Sequence, residues 1–262
     1  MILVWVGRPA PQGRPESTMT PTTILGSYRP PPGTALYAVG DIHGRADLLD
    51  SLQARIVADA RRRTASSRVI VYLGDYIDRG PDSKGVIDRL AGEGPPGFER
   101  RFLLGNHDRF LLDVLAGDRA ALDGWLWNGG AAALASYGLA PEALAGTAAD
   151  MRERLRRALP PAHLAFFHAL QLYHREGDIL CVHAGLRPGV ALERQTPMDL
   201  IWIREEFLDS DRDFGALVVH GHSIRPEPVV RQNRVGVDTG AWKTGTLTAA
   251  VLMGDKLGLL QT

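Results

Sequence analysis

The 262-residue chain has a single cysteine, Cys181. No disulfide can form within it, and a reducing compartment, the cytoplasm, is the simplest reading. Cys181 stands inside the apolar run Ile179–Val182, which suits a buried structural thiol better than a nucleophile. No apolar run approaches the ~20 residues that a membrane-spanning helix requires. Charge of one sign is not in excess either. Thirty basic and thirty acidic residues cancel, so neither nucleic acid nor an anionic membrane surface is an expected partner. No internal repeat is visible.

What is present is the composition of an ordinary globular protein, 45% hydrophobic and 23% charged. The length suits one large α/β domain or two small ones. Met1–Val6 is apolar but too short for a signal peptide and lacks a basic leader, and Gly7-Arg8-Pro9 interrupts it. Residues 7–33 are rich in Pro, Gly, Ser and Thr, so residues 1–33 read as a flexible extension, with Met19 as an alternative start. Residues 34–262 read as the folded domain.

From Leu36 the pattern is regular. Leu36–Val39 predicts a strand ending in Gly40-Asp41-Ile42-His43-Gly44, and Ala46–Arg63 predicts a helix with apolar residues at helical spacing. The run Val69–Leu73, rich in β-branched residues, predicts a buried strand. It ends in Gly74-Asp75-Tyr76-Ile77-Asp78-Arg79-Gly80, and Asp82-Ser83 can cap the helix that follows. Arg101–Leu104 predicts a third strand, ending in Gly105-Asn106-His107-Asp108. This alternation argues a βαβαβ unit with a parallel sheet. About 109–170 reads as an alanine-rich helical insertion. The later strand runs, with hairpin turns at Gly177-Asp178 and Gly254-Asp255, predict a second and more antiparallel sheet. The expected fold class is α/β (α+β), a central two-sheet β-sandwich flanked by helices.

Five strand ends carry Asp41 and His43; Asp75 and Asp78; Asn106 and His107; His183; and His220 with His222. Ligands in open α/β folds bind at such ends. Any one group has a bland reading, a capping aspartate or a solvated histidine. Five together are hard to explain by capping, and a mixed oxygen and imidazole set suits manganese, iron or zinc. His163, His168 and His174 lack this context and read as core or surface residues. An acid/base pair of Asp75 and Asp78, as in glycosidases, leaves the recurring histidines unexplained.

These segments, with Val182-His183-Ala184-Gly185 and Gly221-His222-Ser223, resemble the signature set of the phosphoprotein phosphatase family. That family lies within the calcineurin-like metallophosphoesterase superfamily, and the likeness runs from Gly40 to about residue 250. The resemblance implies a metallophosphoesterase fold and two divalent metal ions, manganese first with iron or zinc as alternatives. Asp41, His43 and Asp75 would hold one ion. Asp75 would bridge to a second, held by Asn106, His183 and His222, while His220 would orient a ligand. Arg79 and Arg204 would clamp phosphate, and His107, oriented by Asp78, would protonate the leaving group. The implied activity is hydrolysis of phosphomonoesters by in-line attack of a metal-bridging hydroxide. The favoured substrate is phosphoserine or phosphothreonine in a protein or peptide, with phosphotyrosine or another small phosphoester also accepted, as in the family's bacterial serine/threonine branch. Trp125–Gly130, Ile201–Arg204 and Val237–Ala241 carry the likeness to that branch. Asp108, where most of its protein phosphatases have glutamate, resembles instead the branch's diadenosine tetraphosphate hydrolases, the alternative reading. A metal-binding scaffold without catalysis is the remaining one, disfavoured because Asp75, Arg79 and His107 are all in place.

Overall fold

A computed structural model describes residues 23–24 and 26–262. Its strands, in chain order, are β1 (Thr23–Ile24), β2 (Thr34–Val39), β3 (Ser67–Tyr72), β4 (Glu99–Phe102), β5 (Tyr173–Glu176), β6 (Ile179–Val182), β7 (Leu217–His220), β8 (Val229–Val230), β9 (Arg234–Gly236), β10 (Thr248–Met253) and β11 (Lys256–Gln261). They form two mixed sheets, one in the order β1-β11-β10-β2-β3-β4 and one in the order β5-β6-β7-β9-β8. Strands β2, β3 and β4 pair in parallel, as the βαβαβ reading expects. The second sheet is less antiparallel than expected, because β6, β7 and β9 also run parallel.

Alternation along the strands builds the layers. Leu36, Ala38, Val69 and Val71 face inward against Ile179, Cys181, Leu217 and Val219 of the other sheet, all buried. Their neighbours Tyr37, Val39, Ile70 and Tyr72 face outward and pack against helices α1 (Ala46–Ala60) and α2 (Ser83–Ala91). The central strands are thus covered on both faces, which is why they read as continuous apolar runs rather than alternating ones. On the far side, Leu180, Val182 and Val218 pack against Leu200, Ile201 and Phe207. The result is a helix–sheet–sheet–helix sandwich.

The Asp82 cap forms as expected, its Oδ1 accepting from Gly85 N at 2.8 Å. After β4 the helix α3 (Asn106–Ala116) begins, so Asn106, His107 and Asp108 occupy its first turn. Further helices, including Arg119–Trp125, Ala131–Ser136, Ala148–Ala158 and Pro161–His168, fill the insertion. The expected leader runs into the fold before residue 33. Thr23–Ile24 pair with Lys256–Leu257 at a sheet edge, the Tyr28 hydroxyl hydrogen-bonds Asp213, and Arg29 O accepts from Asp178 N. Residues 1–22 and 25 of that leader lie outside the described residues. Among the described residues, no helix is long and apolar enough to cross a membrane.

Candidate metal centre

The polar tips converge at one edge of the sandwich, where β2, β3, β6 and β7 end in their loops. Asp41, His43, Asp75, Asp78, Asn106, His107, His183 and His222 are all at most 5% exposed. Backbone geometry gathers them. His43, Asp75, Asp78, Arg79 and His222 are the non-glycine residues with positive φ among those described, and all five are candidate site residues. Such conformations cost about 1–3 kcal/mol each and persist where the surroundings enforce them. Here Asp108 does much of the enforcing. Its buried carboxylate accepts from Asp75 N at 2.8 Å, Gly105 N at 3.0 Å and Tyr76 N at 3.1 Å, tying the second loop to the third. Asp75 O in turn accepts from His43 N and Ile42 N, tying in the first. Crowding is extreme: a Cβ at Gly105 would stand 2.1 Å from Asp75 Oδ1, and one at Gly221 2.1 Å from Asp41 Oδ1.

Two groups of possible ligand atoms share Asp75. They are His43, Asp75 and His107, and Asp75, His183 and His222, with the atoms of each group within 4.8 Å of one another. Asp75 Oδ2 lies 3.5 Å from His43 Nε2, and Oδ1 lies 3.5 Å from His183 Nε2. Hydrogen bonding fixes the tautomers. His43 Nδ1 is 2.7 Å from Ile77 O and His183 Nδ1 is 2.9 Å from Leu73 O. A carbonyl only accepts, so both rings carry their proton on Nδ1 and present a bare Nε2.

The donors fit a cation. His183 Nε2 sits 3.0 Å from Asn106 Oδ1, two acceptors facing each other, and a positive ion between them would relieve that contact. His222 Nε2 is buried with no hydrogen-bond partner. Burial holds the His43 imidazole down to about 3 and that of His222 down to about 2, and it lowers His183 as well, so all three are neutral as metal ligands must be. Burial alone would raise Asp75, but the surrounding His183, His107, His43 and His222 outweigh it and hold Asp75 low.

Asp41 is placed differently from the other expected ligands. Its carboxylate accepts from His222 N at 3.1 and 3.2 Å, and it lies outside both groups. Burial, then Asp238 and Asp75, raise its pKa. Asp238 is the residue that the sequence reading passed over. It ends the apolar run Val235–Val237, one more strand end of the same kind, and burial brings it up to about 6. His107 is in the first group although the resemblance implied proton transfer alone for it; its Nδ1 is 2.7 Å from Asp78 Oδ2. His220 and His222 part company at the end of β7. Positive φ turns His222 into the cluster, whereas His220 packs edge-on against Phe207 at 5.1 Å, with Nδ1 3.0 Å from Gly221 O.

The arginines stand at the rim. Arg79 NH1 is 3.0 Å from His43 Nε2, and its guanidinium lies 5.5 Å from the centroid of Trp242. Arg204 is exposed at the start of the helix Glu205–Leu208, near enough for its charge to act on His183 and His222. A family profile, which is independent of this geometry, points the same way. The calcineurin-like phosphoesterase profile matches residues 35–242. The chain belongs to that family.

Curated relatives add detail. A symmetrical bis(5'-nucleosyl)-tetraphosphatase from Acidovorax sp. (strain JS42) is 36% identical over 160 residues, covering 59% of this chain and 45% of that protein. One from Dechloromonas aromatica (strain RCB) is 32% identical over 154 residues with the same coverage. The chain thus spans under half the length of these relatives. Among solved structures, one described only provisionally as a diadenosine tetraphosphatase aligns with TM-score 0.59 at 22% identity, covering 91% of this chain and 98% of that one. The cold-active protein-tyrosine phosphatase of a Shewanella species aligns with TM-score 0.54 at 18% identity, covering 96% and 86%. These two likenesses establish the fold.

Proposed function

We propose that the protein is a binuclear metal-dependent phosphoesterase acting on dinucleoside polyphosphates. The observation that carries the hydrolase reading is the pair of ligand groups joined at Asp75. Asp41, His43 and Asp75 would hold one ion, with Asp75, Asn106, His183 and His222 holding the other; manganese is the first choice, with iron and zinc as alternatives. Two such ions would supply a water ionised near neutral pH and neutralise phosphate oxygens.

The chain's own groups supply the rest. Arg79 and Arg204 grip non-bridging oxygens with planar guanidinium forks, which suit phosphate better than lysine does. The Arg204 guanidinium has no hydrogen-bond or ion-pair partner among the described residues, so its fork is free for substrate. His107 is oriented through Nδ1 by Asp78, leaving Nε2 to protonate the departing oxygen. For a diadenosine tetraphosphate, water adds to one of the two central phosphorus atoms, the central P–O–P bond breaks, and two ADP leave.

The sequence favoured phosphoserine or phosphothreonine, and the relatives' names favour the dinucleotide instead. The segments behind the protein-phosphatase likeness pack against the site in ways that do not require a protein substrate. Trp125 Nε1 donates to Asp78 at 2.9 Å, and Trp202 packs 6.0 Å from the His222 ring. Asp108, the residue that resembles the dinucleotide hydrolases, ties the loops together through its carboxylate. The test is metal-free protein reloaded with manganese and given diadenosine tetraphosphate and a phosphoserine peptide side by side. ADP as the only nucleotide product, with little phosphate from the peptide, is expected. Phosphate from the peptide without ADP returns the reading to a protein phosphatase, and turnover of neither removes the hydrolase reading.

A further inference from the structure

Beside the metal centre, across Trp202, lies a hollow of about 340 Å³, within the range of small-ligand pockets. Met198, Trp202 and Ile203 form its apolar wall, and Arg204 and Glu205 bring charge to it. Arg187 closes one side, paired with Asp199 at 2.8 Å and Glu206 at 2.7 Å, so these three charges satisfy one another. Arg204 and Glu205 are adjacent in sequence and opposite in charge, yet neither side chain has a hydrogen-bond or ion-pair partner among the described residues, their bonds being through backbone carbonyls. Met198 is 61% exposed, a long apolar side chain presented to solvent at the mouth. Trp202 joins the hollow to the chemistry: its ring centroid stands 6.0 Å from that of His222 and 5.6 Å from that of Phe110.

We propose that this hollow is a nucleoside subsite, which seats one end of the substrate while Arg204 takes the adjoining phosphate. The inference rests on the dinucleotide reading and names where its specificity resides. A solvated surface would account for Met198 or Glu205 singly. It does not account for their joining an indole and a free guanidinium in one concavity next to two ligand groups. The polarity sequence of the wall is that of a nucleoside phosphate. The flat base meets Trp202 and Met198, the carboxylate of Glu205 accepts from an N–H or O–H of the nucleoside, and the negative chain runs past Arg204 toward His183 and His222. Stacking of a base on an aromatic ring tolerates any base, so the subsite selects nucleosides as a class.

Two variants outside the catalytic groups test this, Met198→Ala and Glu205→Gln. With manganese-loaded protein, each is expected to raise KM for diadenosine tetraphosphate about fivefold or more while kcat and KM for p-nitrophenyl phosphate, which has no nucleoside, stay within twofold. In a second measurement, AMP quenches tryptophan fluorescence of the wild type, inorganic phosphate does not, and Trp202→Phe removes the quenching. An equal change on both substrates, an unchanged KM for the dinucleotide, or AMP quenching that survives Trp202→Phe overturns the subsite. If the wild type binds AMP through Trp202 but releases no ADP from the dinucleotide, the substrate reading fails and the nucleoside subsite stands.

Discussion

The indole N–H of Trp125 lies 2.9 Å from both carboxylate oxygens of Asp78, and Asp78 Oδ2 is in turn 2.7 Å from His107 Nδ1. The three groups are buried together, Trp125 and His107 each 1% exposed and Asp78 fully enclosed. Burial raises the Asp78 pKa, and the bonds from His107 and Trp125 oppose that rise. The helical insertion is therefore wired to the proposed acid through one hydrogen bond. Trp125→Phe keeps an aromatic ring but removes the donor along with the pyrrole half of the indole. It is read against a second variant, Leu122→Ala, that opens a cavity in the same core without touching Asp78. A buried carboxylate deprived of a partner costs about 1–3 kcal/mol, so urea unfolding should show a loss of that order together with a reduced kcat. Unchanged stability and rate would show that the bond carries neither load.

A general acid matters most when the leaving oxygen is basic. His107→Asn should cost roughly 10²–10⁴-fold in kcat on phenyl phosphate and far less on p-nitrophenyl phosphate, whose leaving group departs unprotonated. The slope of log kcat against leaving-group pKa across aryl phosphates should steepen accordingly. An equal loss on every ester would assign His107 to metal binding, the role its place beside His43 and Asp75 also permits.

Most of this site could be read in the linear sequence because the chemistry sits where the pattern changes. Three apolar runs stop at a glycine followed directly by Asp41, Asp75 or Asn106, and the other two stop at His183 and His220, each with a glycine within two residues. The sandwich was legible for the same reason, since strands covered on both faces leave continuous apolar runs. The sequence could not reveal which histidine of the His220–His222 pair turns inward. Extended spacing puts both on one face, and only the positive φ at His222 separates them. Nor could it show that Trp125 reaches Asp78 across 47 positions. The edge strand Thr23–Ile24 was hidden inside a Pro- and Gly-rich stretch, because two residues give no periodicity to detect.

The sharing of Asp75 predicts an asymmetry in metal content. His43 belongs to one ligand group and His222 to the other, whereas Asp75 belongs to both. His43→Ala and His222→Ala should each lower the manganese bound per chain from two toward one. Asp75→Asn should weaken both sites together. Titration of metal-free protein by calorimetry checks this without reference to turnover. If Asp75→Asn loses no more metal than either histidine variant, Asp75 is not a bridge.

Away from the metal centre, His163 offers a stability probe whose sign can be worked out. Its Nδ1 is 2.9 Å from the Tyr137 hydroxyl and its Nε2 is 2.9 Å from Asp88 Oδ1, which pins helix Pro161–His168 to α2. Burial lowers its pKa, and the nearby Asp88 carboxylate only partly offsets that. At neutral pH the ring is unprotonated in both folded and unfolded chains, and the stabilisation is fully present. As the pH falls below the unfolded value of about 6.5, the unfolded chain takes up the proton first and the folded state loses ground. Stability of the metal-free protein should therefore decline between about pH 7 and pH 5, and His43, His183, His220 and His222 shift it in the same direction. His163→Gln isolates one contribution. It should be less stable than the wild type at pH 7.5, with the gap narrowing toward pH 5. A gap that widens on acidification would mean that His163 is held as a cation by Asp88, reversing the assignment.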